Sequence, residues 1–581
     1  MIERWTDETT DPADARFARA ASGVLARFNA AGILTAADVH VAARTAALVG
    51  GVDEETQLAV ALAVRAARAG SVCVDLDDLT RTEPDLPWPP PGWLARVGAS
   101  RLAGASVLRV EGDLLYLDRY WREEGQVRDD LLVRETLAPP PTGSGALAER
   151  AERLFPGVGY AEQRAAALSA VGQWTTVLTG GPGTGKTTTV AGLLALIAAE
   201  SPVPLRIALT APTGKAAARL QEAVTAAQQE RRFSDDDRAR LAGLTASTMH
   251  RLLGWRPGSS TRFAHHRGNR LPHDVIVVDE TSMVSLTMMA RLLEAVRPDT
   301  RLILVGDPDQ LASVEAGAVL ADLATGLAER GSGAVVGLRT THRFGEGIGD
   351  LAQALRDGDA DRVLALLEDG SGRLRRIDPQ DEAAMSALRG RLSDHAAELR
   401  RLSLAGDAAG AVATADDHRL LCAHRDGPWG ALHWNRQIDR ALADRAGTWL
   451  GEWYAGRPIL VTTNDYSVGL FNGDTGVAVV AGDGALRVHI AGGRTYAPSR
   501  LGDVETLHAM TVHKSQGSQA REVSVLLPPA DSPLLTRELF YTAVTRAQER
   551  VTVIGSRESV AAAVTRRAQR ASGLRRRLSE A

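Results

Sequence analysis

The run Gly180-Gly181-Pro182-Gly183-Thr184-Gly185-Lys186-Thr187 decides the fold. It fits the phosphate-binding pattern G-x-x-x-x-G-K-[ST]. A β-branched run, Trp174 to Thr179, precedes it, and an apolar helical run, Val190 to Ala199, follows it. That strand–loop–helix context is what the loop needs to turn backbone N–H groups inward around phosphate oxygens. Glycines permit the turn, and the helix behind presents the positive end of its dipole. Lys186 is expected to reach the β- and γ-phosphates and Thr187 to hold Mg²⁺, with Gly181, Pro182, Gly183, Thr184, Gly185 and Thr188 completing the cradle. The chain is therefore expected to bind ATP or GTP.

Downstream, short β-branched runs alternate with helical ones, the pattern of parallel sheets covered by helices. Strands are expected at Thr175–Thr179, Arg206–Thr210, Val275–Val278 and Leu302–Val305, and again at Pro458–Thr462, Val523–Leu527 and Val551–Ile554. The two groups predict an α/β protein with two P-loop-type (RecA-like) motor domains, at 146–335 and 336–581. Residues 1–140, before the Pro-rich Ala138 to Gly145, read as a mostly helical docking domain, with helical runs at Ala13 to Ala31 and Glu55 to Ala69. The Gly-rich stretch 472–505 reads as a small β-rich insertion.

Bulk properties limit the partners. At 581 residues the chain has length for several domains, and its formal net charge of −4 does not announce a nucleic-acid partner. Basic contacts would have to be local. The candidates are Arg251 to His273 (Arg256, Arg262, His265, His266, Arg267, Arg270) and the tail (Arg566, Arg567, Arg570, Arg575, Arg576, Arg577), the latter more readily read as a solvated helix end. No apolar run has the ~18 residues of a membrane span, and the polar N-terminus is unlike a signal peptide. No membrane partner and a cytoplasmic location are expected. Cys73 and Cys422 lie far apart without metal-type spacing and read as free thiols.

The chemistry gathers at strand ends. Asp279-Glu280 follows the apolar Val275–Val278. Asp279 is expected as the second anchor for Mg²⁺ and Glu280 as the acceptor of the attacking water's proton. Gln310, in Gly306-Asp307-Pro308-Asp309-Gln310-Leu311, is the candidate γ-phosphate sensor. Arg343 and Arg546, both in the second half, are candidate stabilisers of transition-state charge.

Taken together, the P-loop, Ala211-Pro212-Thr213-Gly214-Lys215-Ala216-Ala217, Thr248-Met249-His250-Arg251-Leu252-Leu253-Gly254, Asp279-Glu280-Thr281-Ser282-Met283 and Gly306 to Leu311 resemble successive motifs of the superfamily 1 helicases. So do Thr511-Val512-His513-Lys514-Ser515-Gln516-Gly517-Ser518 and Tyr541-Thr542-Ala543-Val544-Thr545-Arg546-Ala547. Leu311 to Leu320 and Gly469 to Gly476 add a resemblance to one family among them, the superfamily 1B alpha subunits of exodeoxyribonuclease V (RecBCD-type helicase–nucleases). That resemblance implies an ATP- and Mg²⁺-dependent 5′–3′ DNA helicase acting on single-stranded DNA and DNA ends in recombinational repair. It also implies RecB-like and RecC-like partner subunits in a heterotrimer.

Residue by residue, the resemblance places Gln163 as the adenine reader and Gly517 beside the nucleotide. Pro212, Thr213, Thr248, His250, Asn472, Thr511, His513, Lys514 and Ser515 fall on the DNA track. It marks 255–272 as a hairpin insertion able to part strands and 472–505 as a DNA-contacting small β-barrel. No nuclease constellation of its own stands out. The rival readings are a stand-alone helicase of the same chemistry, or an interaction subunit whose motor is vestigial.

Overall fold

The computed structural model describes residues 14, 16–141, 146–256, 262–340, 346–370, 372–465 and 467–581. Two parallel sheets organise it. The first has six strands in the order Ala246–Thr248, Ile207–Ala211, Val275–Val278, Arg301–Gly306, Thr175–Gly180, Val335–Leu338. Its inner strands are buried along their length, as Val275–Val278 and Arg301–Gly306 show, because helices cover both faces. The helix Lys186–Ala199 is buried over Thr189 to Ala198 and forms the core of one face with Ala161–Val171 and Gly214–Gln228. The second sheet has five strands in the order Leu374–Ile377, Ala547–Ile554, Ala520–Leu526, His418–Cys422, Ala509–Thr511, all parallel.

Pro458–Val461 departs from expectation. It pairs antiparallel with Thr475–Val480 and with Val504–Thr506, so it belongs to the small inserted sheet and not to the motor's parallel one. The insertion thus begins before 472 and comprises five antiparallel strands with their own apolar core around Ile459, Ala478 and Val488. The helical N-terminal region likewise carries a three-stranded sheet, Cys73–Asp75, Leu114–Leu117 and Leu108–Glu111, that the helical periodicity did not announce. The expected helix at Glu55 to Ala69 is Glu54–Arg68, capped by the Asp53 carboxylate, which accepts the Thr56 N–H at 2.7 Å. Among the described residues of the run expected over Ala13 to Ala31, the helix is Gly23–Ala30.

The N-terminal region is stapled to the first sheet. Arg134, near the end of the helix Asp118–Glu135, is 4% exposed. Its guanidinium donates to Thr175 Oγ1, the carbonyls of Trp174 and Arg297 and, by a short contact, that of Thr300. One planar fork thereby satisfies four acceptors at the lower end of the sheet.

The tail is neither a solvated end nor a free basic patch. It leaves the second motor domain and returns to the first, where Leu574 and Leu578 are fully buried. Arg577 pairs with Glu111 at 2.5 Å and with the buried Glu124 at 3.2 Å. Arg570 donates to the carbonyls of Gly70, Ser313 and Glu315. These two arginines are spent internally, Arg577 on two carboxylates and Arg570 on carbonyls of two segments that its planar donors reach at once. The basic stretch near 251–273 is similar: Arg267 forms a two-pronged pair with Asp130 at 2.9 Å, and Arg270 donates to Val296.

Tail docking also buries Asp322, whose Oδ2 has no hydrogen-bond partner among the described residues. Burial pushes its carboxyl up to about 7, Glu124 adding to the shift and a hydrogen bond from Ser572 opposing it. Between the unfolded value of ~3.9 and about 7 the folded chain holds more protons, so this group's contribution is full below the lower value and lost as pH rises through the upper one. Asp322→Asn is expected to melt above the parent at pH 8, by ~1–2 kcal/mol, with the gain shrinking toward pH 4. Urea unfolding at the two pH values checks it; a pH-independent difference contradicts it.

Candidate active site

The central strand tips carry the nucleotide cleft. Thr175–Gly180 runs into the P-loop, where Gly183 (φ +81°) and Gly185 (φ +83°) take the left-handed conformation the turn requires. Lys186 opens the helix, and its Nζ donates to the carbonyls of Gly180 (2.7 Å) and Gly181 (3.0 Å). Thr184 Oγ1 donates to Gly181 O at 2.9 Å. Thr187 and Thr188 are half-buried in the first helical turn. Gln163 is buried against the loop and donates from Nε2 to Thr184 O at 3.1 Å, so part of its amide holds the loop. Arg343 lies outside the described residues; just before it, the N–H groups of Arg339 and Thr340 donate to Glu162 at 2.9 and 2.8 Å.

Two strands away, Asp279 follows Val275–Val278. Burial and the neighbouring charge of Glu280 push its carboxyl up to about 6. Glu280 holds a left-handed backbone (φ +50°), one of two non-glycine residues among those described to do so. Strain of ~1–3 kcal/mol at such a position is characteristic of functional turns. A hydroxyl, a carboxylate and a phosphate-binding loop form an oxygen donor set that suits Mg²⁺. Thr187 and Asp279 would hold that ion, whose charge would neutralise the phosphates during transfer.

The second domain closes the cleft through hydrogen bonds that cross between domains. Arg546, 3% exposed, donates from Nη2 to Gln310 Oε1 at 2.9 Å and from Nε to Thr542 O at 3.1 Å. Gln310 Nε2 donates to Asp307 Oδ2 at 2.9 Å, which also accepts the Tyr541 hydroxyl at 3.0 Å. Leu311 N donates to Thr542 Oγ1 (2.8 Å), Gln516 Nε2 donates to Leu311 O (2.8 Å), and Arg219 donates to Gly517 O (3.3 Å). The sensor amide and the arginine, assigned separately from sequence, are thus direct partners. Asp307, Tyr541 and Arg219 had no assigned role there; Tyr541 stood inside a quoted motif, and Arg219 sits one helical turn beyond Lys215.

The expected DNA contacts fall mainly at the tips of edge strands. Ile207–Ala211 and Ala246–Thr248 are neighbours, with Ala211 paired to Thr248. Pro212 and Thr213 follow the first; Thr213 caps the helix Gly214–Gln228 by accepting Ala216 N–H at 3.2 Å. Thr248 accepts Arg251 N–H at 3.3 Å, and His250 lies 5.9 Å from the Phe263 ring. Within the stretch expected as a hairpin insertion, Trp255 forms an isolated antiparallel bridge with Phe263 and His266 one with Asn269; residues 257–261 lie outside the described residues. In the second domain Thr511 ends the edge strand Ala509–Thr511, and His513 and Lys514 follow, half-buried.

Two of these residues have partners within the chain. Ser515 is 1% exposed and its hydroxyl donates to Val512 O at 2.7 Å, so it braces the turn from inside. Lys514 Nζ is ion-paired with Glu505 at 2.6 Å, an attachment it would exchange to grip a phosphate. Asn472 is exposed, with its N–H on Asn464 Oδ1 at 2.8 Å. Beside it, Phe471 packs so closely on Gly214 that a Cβ there would lie 2.8 Å from the ring's own Cβ. The inserted sheet therefore leans on the start of the Gly214–Gln228 helix.

Two parallel-sheet domains, a P-loop and an arginine, Arg546, reaching across to Gln310 are the frame of an ATP-dependent DNA helicase of the superfamily 1 type. Family patterns agree: "RecBCD enzyme subunit RecD, N-terminal domain" matches residues 30–107, "AAA domain" 163–316 and "UvrD-like helicase C-terminal domain" 506–554. The chain is 60% identical over 559 residues to the RecBCD enzyme subunit RecD of Mycolicibacterium smegmatis, covering 94% of this chain and 98% of that one. It is 34% identical to the ATP-dependent RecD2 DNA helicase of Deinococcus radiodurans, over 80% of this chain and 58% of that longer one. A crystal structure of Pif1 helicase from Bacteroides with ADP-AlF3 and ssDNA aligns at TM-score 0.39 and 16% identity, covering 68% of this chain and 92% of that one. The chain belongs to the RecD family of RecBCD enzyme subunits.

Proposed function

We propose that the chain is a 5′–3′ motor on single-stranded DNA that works with RecB-like and RecC-like subunits in a cytoplasmic helicase–nuclease acting at DNA ends. The observation that carries this reading is the buried Gln310–Arg546 contact between the two motor domains. It makes the domain interface and the γ-phosphate sensor one object, so ATP binding and hydrolysis must change how the domains sit. Lys186 would neutralise the phosphates, Glu280 would take the water's proton, and Arg546 would offset charge developing on the transferred group. The edge-strand hydroxyls and backbone groups would hold the DNA backbone without reading bases, so each closure would advance the strand.

The same reading divides the chain into a docking region to about residue 140, a first motor domain over 146–335 and a second from 336, with the tail strapped back on the first. No helix among the described residues is long and apolar enough to cross a membrane. The test is recovery of the tagged chain from its own cells at native levels. Two larger chains in constant ratio, absent when the N-terminal region is deleted, are expected. An active chain recovered alone would make it a free helicase.

A further inference from the structure

Arg356 has no part in the reading so far, yet it faces the P-loop. It sits near the end of the helix Glu346–Asp357 in the second domain. Its Nη1 donates to the Tyr541 hydroxyl at 3.1 Å, and the guanidinium lies 5.8 Å from the centre of the Tyr541 ring. The approach to the loop is close: a Cβ on Gly181 would lie 2.8 Å from Arg356 Nη1 and 3.1 Å from the Tyr541 oxygen. Gly181 is therefore a residue over which two groups of the other domain can settle without a side chain in the way.

The contact continues inward. Tyr541 is 1% exposed, and burial raises its pKa well above the ordinary value, so the phenol stays a neutral donor. Its hydroxyl donates to Asp307 Oδ2, which also accepts from Gln310 Nε2, whose Oε1 accepts from Arg546. Arg356, Tyr541, Asp307, Gln310 and Arg546 form one unbroken relay that leaves the second domain at the P-loop, enters the first at Asp307 and returns at Arg546. Asp307 Oδ1 is occupied as well, by Asp309 N–H at 3.1 Å, so the carboxylate has little freedom to choose another geometry. Buried networks satisfied in this way act as a unit. The helix end is also fixed from outside: Gln353 accepts from Arg356, and Arg537 donates to the Arg356 carbonyl at 3.4 Å.

We propose that Arg356 is a positioning residue for ATP hydrolysis: seated on the P-loop at Gly181, it orients Tyr541 and, through Asp307, sets Gln310 and Arg546 for the transition state. The inference rests on the ATP-driven reading above. It assigns the relay a direction, since a cation over the loop makes the position of Gln310 depend on how the second domain meets the phosphate site. Arginine is suited to this because one prong of its fork, Nη1, meets the phenol over the loop while the other, Nη2, is anchored on Gln353, a fixed orientation that a lysine's single ammonium lacks.

The test is a double-mutant cycle on DNA-stimulated ATPase in the full-length chain, with any chains that copurify. Arg356→Ala is expected to lower kcat about tenfold with KM for ATP within about threefold, and Arg356→Lys to recover part of it. Tyr541→Phe, which keeps the ring and removes the hydroxyl, is expected to act in the same direction. The double variant should fall no further than the worse single one, since both break one relay. Additive losses, or a raised KM with kcat intact, overturn the proposal. So does a kcat loss matched by a lowered melting temperature in Arg356→Ala but absent from Tyr541→Phe. Lys186→Ala separates the two levels: a live ATPase in that variant overturns the hydrolytic reading, whereas a dead one beside an unaffected Arg356→Ala overturns this inference alone.

Discussion

Lys186→Ala is expected to reduce DNA-stimulated ATP hydrolysis by at least ~10²–10³-fold while the chain remains folded. The side chain is half-buried, and among the described residues its ammonium bonds to carbonyls of its own loop, at 2.7 and 3.0 Å. Truncation leaves those carbonyls beside a helix N-terminus, where neighbouring N–H groups and solvent can serve them, so the fold loses little. The chemistry loses the ammonium that the loop itself supplies, at the point where β- and γ-phosphate charge gathers. The measurement is steady-state ATPase with and without single-stranded DNA, beside a thermal melt. An unchanged rate would remove the P-loop from the mechanism and revive the vestigial-motor reading.

Arg546→Ala should act on turnover more than on ATP binding, with kcat lowered ~10³-fold, the low end of the effect of an arginine placed at the γ-phosphate. The structure adds a complication that can be controlled. Arg546 is buried, and removing it strands Gln310 Oε1, a cost of ~1–3 kcal/mol to the folded state, while Thr542 O keeps the Thr545 hydroxyl. Arg546→Lys, which retains charge but loses the fork, separates the two: kcat should stay low while the melting temperature returns toward the parent's. Titration with a fluorescent nucleotide gives binding, and single-turnover hydrolysis gives the chemical step. Equal loss of both would sink the transition-state role.

What the sequence disclosed followed from how strongly each local rule was obeyed. The P-loop and the Asp279-Glu280 tip were legible because a buried parallel strand is a run of β-branched residues that stops at its functional turn. Strands that escaped notice lacked a clean apolar run: the edge strand Leu374–Ile377 carries two arginines at its centre, and the inner strand His418–Cys422 begins with two polar residues. Pro458–Val461 was visible as a strand but not as an antiparallel one, because its partners, 475–480 and 504–506, are set by tertiary pairing.

The site divided in the same way. Gln310 and Arg546 could be marked separately by residue type and motif. That they touch depends on how two domains meet, which no periodicity encodes. Arg356 carried no local signal at all, since an arginine in the last turn of an amphipathic helix is ordinary. The tail misled for a related reason. Its arginine density resembles a free basic patch, and only three-dimensional return reveals Gly70, Ser313 and Glu315 as the acceptors.

The account rests on turnover between two motor domains being converted into movement along one strand toward its 3′ end. The direct measurement is displacement of streptavidin from single-stranded DNA biotinylated at one end, with ATP and Mg²⁺, for the chain and its Lys186→Ala variant. Displacement from the 3′ end by the parent alone is the predicted result. Displacement from the 5′ end, or from neither end while ATP is hydrolysed, would contradict it.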